Sequence, residues 1–152
     1  MQIISLSKDL IDSIVKLYMD YCNELKIRMN NESINNYLNK TIDNINNGLL
    51  DFKILIEDDI PIGFASVKSN FEYIGKNDGF ILDLYIKDDY RFYGYGKKLL
   101  THIEELSNSK GTKVMYVTSN DLNVLFFKNC GYLPTGIYDN EVELEVFYKN
   151  IE

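Results

Sequence analysis

Apolar residues recur near the start of the chain at intervals of three and four. Leu10, Ile11, Ile14, Leu17, Tyr18, Tyr21, Cys22 and Leu25 share one helical face, and Ser7 is placed to cap its start. Gln2 to Leu6 form a short strand ahead of it. A second helix is predicted from about Glu32 through Ile34, Tyr37, Leu38, Thr41, Ile42 and Ile45. Asn46-Asn47-Gly48 stops it, because Gly48 suits the left-handed residue after a helix.

The period then changes from 3.6 to 2. Phe52, Ile54 and Ile56 alternate with Lys53, Leu55 and Glu57, Asp58-Asp59 makes a tight turn, and Pro61 to Lys68 returns as the partner strand. Asn77-Asp78-Gly79 is the next turn. Phe80 to Ile86 has so few polar residues that a central strand covered on both faces is expected. Lys97 to Leu106 is helical, Lys113 to Thr118 a strand, Asp121 to Asn129 a helix closed by Gly131, and Glu141 to Lys149 a strictly alternating strand. The order β-α-α-β-β-β-α-β-α-β-β predicts one mixed α/β domain over residues 1–152, a central sheet of six to seven strands flanked by about four helices.

Composition narrows the function classes. The 152 residues suit one core, and 45% hydrophobic with 26% charged residues are ordinary for a soluble protein. No apolar run approaches the roughly 20 residues of a membrane span, and the first residues lack a secretory signal, so a cytoplasmic location is expected. Net charge is −7 without a Lys/Arg cluster, which argues against a nucleic-acid partner. Cys22 and Cys130 lack CxxC spacing and there is one histidine, so no metal site is expected and both thiols read as free and at least half-buried.

The informative stretch runs from Ile81-Leu82-Asp83-Leu84-Tyr85-Ile86 to Arg91-Phe92-Tyr93-Gly94-Tyr95-Gly96-Lys97-Lys98-Leu99-Leu100. An apolar strand enters a loop and then an amphipathic helix. The first helical turn offers unpaired N–H groups and the positive end of the dipole. Gly94 and Gly96 put no Cβ in the way of an approaching phosphate, and Arg91 adds a charged donor at the rim. Two nucleotide motifs fail on spacing: no GxxxxGK[ST] string occurs, and the third glycine of GxGxxG would fall at Leu99.

The string from Asp83 to Leu100 resembles the central [QR]xxGxG[GA] motif of GCN5-related N-acetyltransferases, the GNAT superfamily. Asn120-Asp-Leu-Asn-Val-Leu-Phe126-Phe127-Lys-Asn-Cys-Gly131-Tyr132 is similar to that family's NxxAxxFYxxxGF segment. The resemblance covers essentially the whole chain and implies acetyl-CoA as co-substrate, with no metal. Main-chain groups of Leu84, Tyr85 and Ile86 would pair with the pantetheine arm. Amides of Phe92, Tyr93, Gly94, Tyr95, Gly96 and Lys97 would bind the pyrophosphate, with Arg91 alongside; Asn120 would bond the arm near the thioester, and Phe127 is a further coenzyme-binding candidate. In the family, the strand here at Lys113 to Thr118 splays from Leu84 to Ile86, opening the slot where thioester and amine meet.

Acetyl transfer requires an amine that has lost its proton, whose ordinary pKa is about 10.4, and a donor to the oxyanion, which an amide near Tyr85 or Ile86 could supply. The family's tyrosine acid falls at Phe127, which has no hydroxyl; Tyr132 or Tyr85 could substitute, and the sequence does not choose between them. Asp83 is the candidate to bind or deprotonate the amine. Alternation puts it on the face of Ile81 and Tyr85, opposite Leu82 and Leu84. Its alternative role is as a structural partner of a backbone N–H or a lysine. Polyamine acetyltransferases have a Glu-Asp pair in this strand; Asp83 matches the aspartate and Leu82 replaces the glutamate, so a polyamine-like acceptor is suggested beside other small amines and peptides. No cysteine is placed to form an acyl-enzyme, which favours direct transfer.

Other features carry plainer readings. His102 reads as a boundary residue on the helix after the glycines. Glu141, Glu143 and Glu145 alternate with Val142, Leu144 and Val146, a carboxylate ladder that is either solvated or a guide for cations. Tyr18, Tyr21 and Glu24 sit where the family's first helices overhang the acceptor, or in the core. An exposed sheet edge would support a homodimer. The rival functions are a non-catalytic acyl-CoA-binding domain and a nucleotide-binding regulatory domain.

Overall fold

A computed structural model describes residues 1–139, 141 and 143–152. Its elements are β1 (Gln2–Ser5), a 3-10 turn (Lys8–Leu10), α1 (Ile11–Glu24), α2 (Asn31–Asn46), β2 (Asp51–Glu57), β3 (Ile60–Phe71) and β4 (Asp78–Ile86). A second 3-10 turn (Asp88–Tyr90) precedes α3 (Tyr95–Ser109), β5 (Val114–Ser119), α4 (Val124–Asn129), β6 (Leu133–Asp139) and β7 (Leu144–Asn150). The strands form one seven-stranded sheet in the order β1-β2-β3-β4-β5-β7-β6. It is mixed: β4 and β5 are parallel, whereas β1–β2, β5–β7 and β6–β7 are antiparallel. The α/β class and the element order are those the sequence predicts.

The chain falls into two compact units, Met1–Ser66 with Asp83–Leu100, and Val67–Leu82 with Thr101–Glu152. In the first, the apolar stripes of α1 and α2 bury Ile14, Leu17, Ile34 and Leu38 with Ile54 and Phe64 of the sheet. Phe64 stacks on both Tyr18 and Phe52, at centroid distances of 5.3 and 5.2 Å. Each fully buried side chain of this kind contributes about 1.5–3 kcal/mol, against about 1 kcal/mol for a helix cap. Packing therefore outweighs capping here. Ser7 stands at the start of the first 3-10 turn but its side chain makes no cap bond, while Asn30 caps α2 by accepting from the Ser33 amide at 2.8 Å. The β2–β3 turn is left-handed at both Asp58 (φ 51°) and Asp59 (φ 62°), the geometry that matches hairpin twist.

In the second unit, β5 and β7 pair from Val114↔Asn150 to Ser119↔Glu145. Buried Asp78 accepts the amides of Ile74 (2.9 Å) and Gly75 (2.7 Å), closing the loop before β4. Cys22 is buried and Cys130 half-buried, neither in a disulfide, and His102 is half-buried on α3.

Three expectations need correction. β4 is not covered on both faces: Leu82 is 49% exposed and Leu84 only half-buried, while Ile81, Tyr85 and Ile86 are buried. An apolar run reports low polarity, and one open face is compatible with it. The last strand begins at Leu144, not Glu141, because Asp139 turns the chain. Its carbonyl accepts from the Glu143 amide (2.7 Å) and its Oδ1 from the Glu141 amide (2.9 Å). Glu141 and Glu143 are thus turn residues, Glu145 accepts from the Gly136 amide at 3.0 Å, and no ladder forms. The Val142 position of that ladder lies outside the described residues. Finally, α4 starts at Val124 rather than Asp121, since Asn120 and Asn123 side chains take up the amides before it. Among the described residues no helix is long and apolar enough to cross a membrane.

Candidate functional site

The end of β4 lies hard against β3. A Cβ placed on Gly63 would come within 2.6 Å of both the Tyr85 carbonyl oxygen and Ile86 Cδ1, so only glycine fits. The Lys87 amide donates to the Ile62 carbonyl at 2.7 Å. Leu84, Tyr85 and Ile86, the three residues expected to offer main-chain groups, are therefore a firmly seated stretch of strand.

Beyond Ile86 the chain makes its 3-10 turn and reaches Arg91. The guanidinium is used structurally. Nε donates to the Ile86 carbonyl at 2.8 Å, Nη2 to Glu24 Oε2 at 2.6 Å, and Nη1 lies 3.6 Å from Asp88. It also stands 5.4 Å from the centre of the Tyr85 ring. These contacts fasten the loop to its own strand and to the end of α1.

Phe92 (φ 68°) and Gly94 (φ 86°) are both left-handed, and a Cβ on Gly94 would meet nothing within 4 Å. Phe92, Tyr93 and Gly94 are exposed, Tyr95 and Gly96 half-buried, and Lys97 exposed. The helix closes its first bond from the Lys98 amide to the Gly94 carbonyl at 3.1 Å. Amides ahead of Lys98 have no intrahelical acceptor, which leaves a row of donors at the positive end of a helix of 15 residues.

Asp83, on the face of Ile81 and Tyr85 as alternation requires, belongs to an aromatic cluster. Its Oδ1 accepts from the Tyr21 hydroxyl at 2.6 Å and its Oδ2 from the Ser66 hydroxyl at 2.7 Å. Tyr21 packs on Tyr18, Phe64 and Tyr85 at centroid distances of 5.6, 5.1 and 5.3 Å. Burial, and after it the Asp83 charge, push the hydroxyls of Tyr18 and Tyr21 well above the ordinary tyrosine range and also raise that of Tyr37. Tyr21 stays a neutral donor to that carboxylate, with Tyr18 packed against Tyr21 and Tyr37 against Tyr18. Burial followed by Glu24 also raises Tyr85, with Arg91 opposing. Hydroxyls, not a lysine or a backbone N–H, are the partners of Asp83. Ser66 was invisible as a site residue in the sequence, because a serine in an apolar strand announces no partner.

In the other unit, Asn120 Oδ1 accepts the amides of Leu122 (2.9 Å) and Asn123 (3.1 Å). Phe127 is buried between the rings of Phe126 and Tyr132, at 5.2 and 5.4 Å. Tyr132 is 0% exposed, and its hydroxyl donates to Glu104 Oε2 at 2.7 Å, while Lys149 Nζ reaches Glu104 Oε1 at 3.1 Å. Burial first, then Glu104, push the Tyr132 hydroxyl pKa far up. Its hydroxyl is engaged inside the protein.

Comparison with known proteins fits these features. The sequence model of the Acetyltransferase (GNAT) family matches residues 11–132. Among solved structures, a GNAT-family acetyltransferase from Staphylococcus aureus Mu50 superposes with a TM-score of 0.77 at 17% identity, over 99% of both chains. The PaiA N-acetyltransferase of Thermoplasma acidophilum, in complex with coenzyme A, gives 0.73 at 20% identity, also over 99% of each. An aminoglycoside 6'-N-acetyltransferase complexed with coenzyme A gives 0.77 at 16% identity, over 100% of this chain and 98% of that one. No curated protein sequence matches significantly. At such identities the structures speak for the fold alone; the sequence match from α1 to Tyr132 speaks for the family. This chain belongs to the acetyltransferase (GNAT) family.

Proposed function

We propose that residues 1–152 form one N-acetyltransferase domain that holds acetyl-CoA and an acceptor together and transfers acetyl directly to a primary amine. The acceptor is a small molecule, polyamine-like in the first instance, or a peptide. The observation that carries this reading is the entry to α3, where left-handed Phe92 and Gly94 lead into first-turn amides without intrahelical acceptors. The residues fit a diphosphate ester, because the position a Gly94 side chain would fill is open.

Amides from Phe92 to Lys97 hold the diphosphate, and main-chain groups of Leu84, Tyr85 and Ile86 receive the pantetheine arm. Asn120 is assigned to the arm on its motif position. Asp83 anchors the cationic amine beside the tyrosine cluster and accepts or relays the proton that an amine of pKa about 10.4 must lose before attack. The amine nitrogen then bonds to the acetyl carbon as the C–S bond breaks, while an amide near Tyr85 or Ile86 supports the oxyanion. The coenzyme supplies an activated thioester whose thiol has an ordinary pKa of about 8.5, a tolerable leaving group without a dedicated acid. That suits a chain with Phe127 at the family's acid position and with the Tyr132 hydroxyl committed to Glu104.

The test is thiol release from acetyl-CoA over polyamine, aminoglycoside and peptide panels, with retention on immobilised coenzyme A but not on ATP or NAD. Turnover with a primary amine is expected. Tight coenzyme binding with silence across every panel would instead identify a non-catalytic binder.

A further inference from the structure

Phe92 is the residue of the loop whose side chain has no use so far. Its φ of 68° is left-handed, an outlier for a bulky residue, and its side chain is fully exposed, at 103% of the reference area. Either property alone is unfavourable, and glycine or asparagine would remove both. The ring packs against nothing, so it does not support the fold. It stands on the same short loop as the amides assigned above to the diphosphate. In coenzyme A a single ribose separates the diphosphate from adenine, so a base leaving the cradle is within reach of a ring carried by the cradle itself. Stacking suits this place, since an aromatic face accepts a base without requiring any further polar partner.

Resting on the reading of this loop as the diphosphate cradle, we propose that the Phe92 ring is the platform on which the adenine of coenzyme A stacks. Tyr93, 73% exposed, lies beside it without the left-handed backbone that sets Phe92 apart.

The experiment is calorimetric binding of coenzyme A and of 4'-phosphopantetheine, which lacks the 3'-phosphoadenosine and one phosphate of the diphosphate, to the wild type, F92A and F92W. Alanine keeps a side chain at the left-handed position and forfeits no packing, so F92A should melt with the wild type. Loss of a base–aromatic stack should weaken coenzyme A by about tenfold or more. Phosphopantetheine should bind F92A and wild type alike, and F92W should restore coenzyme A affinity. Unchanged coenzyme A affinity in F92A would overturn the proposal, as would equal weakening of both ligands, which would mark a loop effect. A wild type that binds coenzyme A no better than phosphopantetheine would sink the cradle and the platform together, and is distinguishable from either of those results.

Discussion

Replacing Tyr132 by phenylalanine removes one oxygen from a fully buried side chain. The lost hydroxyl donates at 2.7 Å to Glu104 Oε2, and Glu104 is itself only 9% exposed. Lys149 stays on the other carboxylate oxygen at 3.1 Å, so the charge remains paired while one oxygen loses its donor. A hydrogen bond to a charged group contributes roughly 1.5–3 kcal/mol. For a domain of this length each kcal/mol moves the melting temperature by about 2–4 °C. A value near 2 kcal/mol therefore predicts a drop of roughly 4–8 °C. The catalytic rate should hardly move, because Tyr132 keeps its proton tightly and gives it to no substrate in this arrangement. A general acid in that position would behave oppositely, since its removal costs on the order of 10²–10⁴-fold in rate. Thermal melts and steady-state kinetics on Y132F separate the two. A collapse of kcat with an unchanged Tm would refute the structural assignment and return Tyr132 to the reaction.

Other outcomes follow from the same geometry. G94V places a β-branched residue at φ 86° and its side chain over the amides; the fold should survive a penalty of about 1–2 kcal/mol, while KM for acetyl-CoA rises at least about tenfold. An unchanged KM would mean that the phosphates lie elsewhere. D83N keeps an acceptor for Tyr21 and should raise the KM for amine far more than that for acetyl-CoA, so equal rises would count against Asp83 as the amine's anchor. Tyr18, Tyr21 and Tyr132 have folded pKa values raised above the ordinary 10.0, chiefly by burial. Below pH 10 both folded and unfolded forms keep these protons and the contribution is flat. Above it only the unfolded chain releases them, so stability should fall as pH rises beyond about 10. Tyrosinate absorbance followed with urea midpoints should show these groups ionising only on unfolding; full titration near pH 10 in an intact fold would contradict their burial.

Periodicity alone made most of this architecture legible. The α1 and α2 stripes each bury a full face, and Asp58-Asp59 reads as a turn because two consecutive left-handed residues have few sequence solutions. Gly94 was legible for a different reason, the missing Cβ just ahead of an amphipathic helix. The residue ranges that sequence missed are those that bury little. In β6, Leu133, Ile137 and Tyr138 are exposed on an edge strand, so no alternation marks it. Of the site, the main-chain features were readable because glycines and an apolar strand encode them locally. Side-chain pairings were not. Glu24 meets Arg91 across 67 positions, Tyr21 meets Asp83 across 62, and Tyr132 meets Glu104 across 28. Local spacing carries no trace of such distances, and a polar residue does not name its partner.

The fastening of Arg91 gives the family motif a stereochemical rationale. Arginine Nε and glutamine Nε2 are each attached to Cδ, the third carbon out from the backbone. A glutamine at this position could thus present an N–H to the Ile86 carbonyl from the same place that Nε occupies at 2.8 Å. Lysine carries its nitrogen one carbon further, on a stem with no planar group to aim it. What the two permitted residues have in common is an aimed donor at a fixed reach rather than a positive charge, and a loop pinned by that donor reaches its helix already shaped.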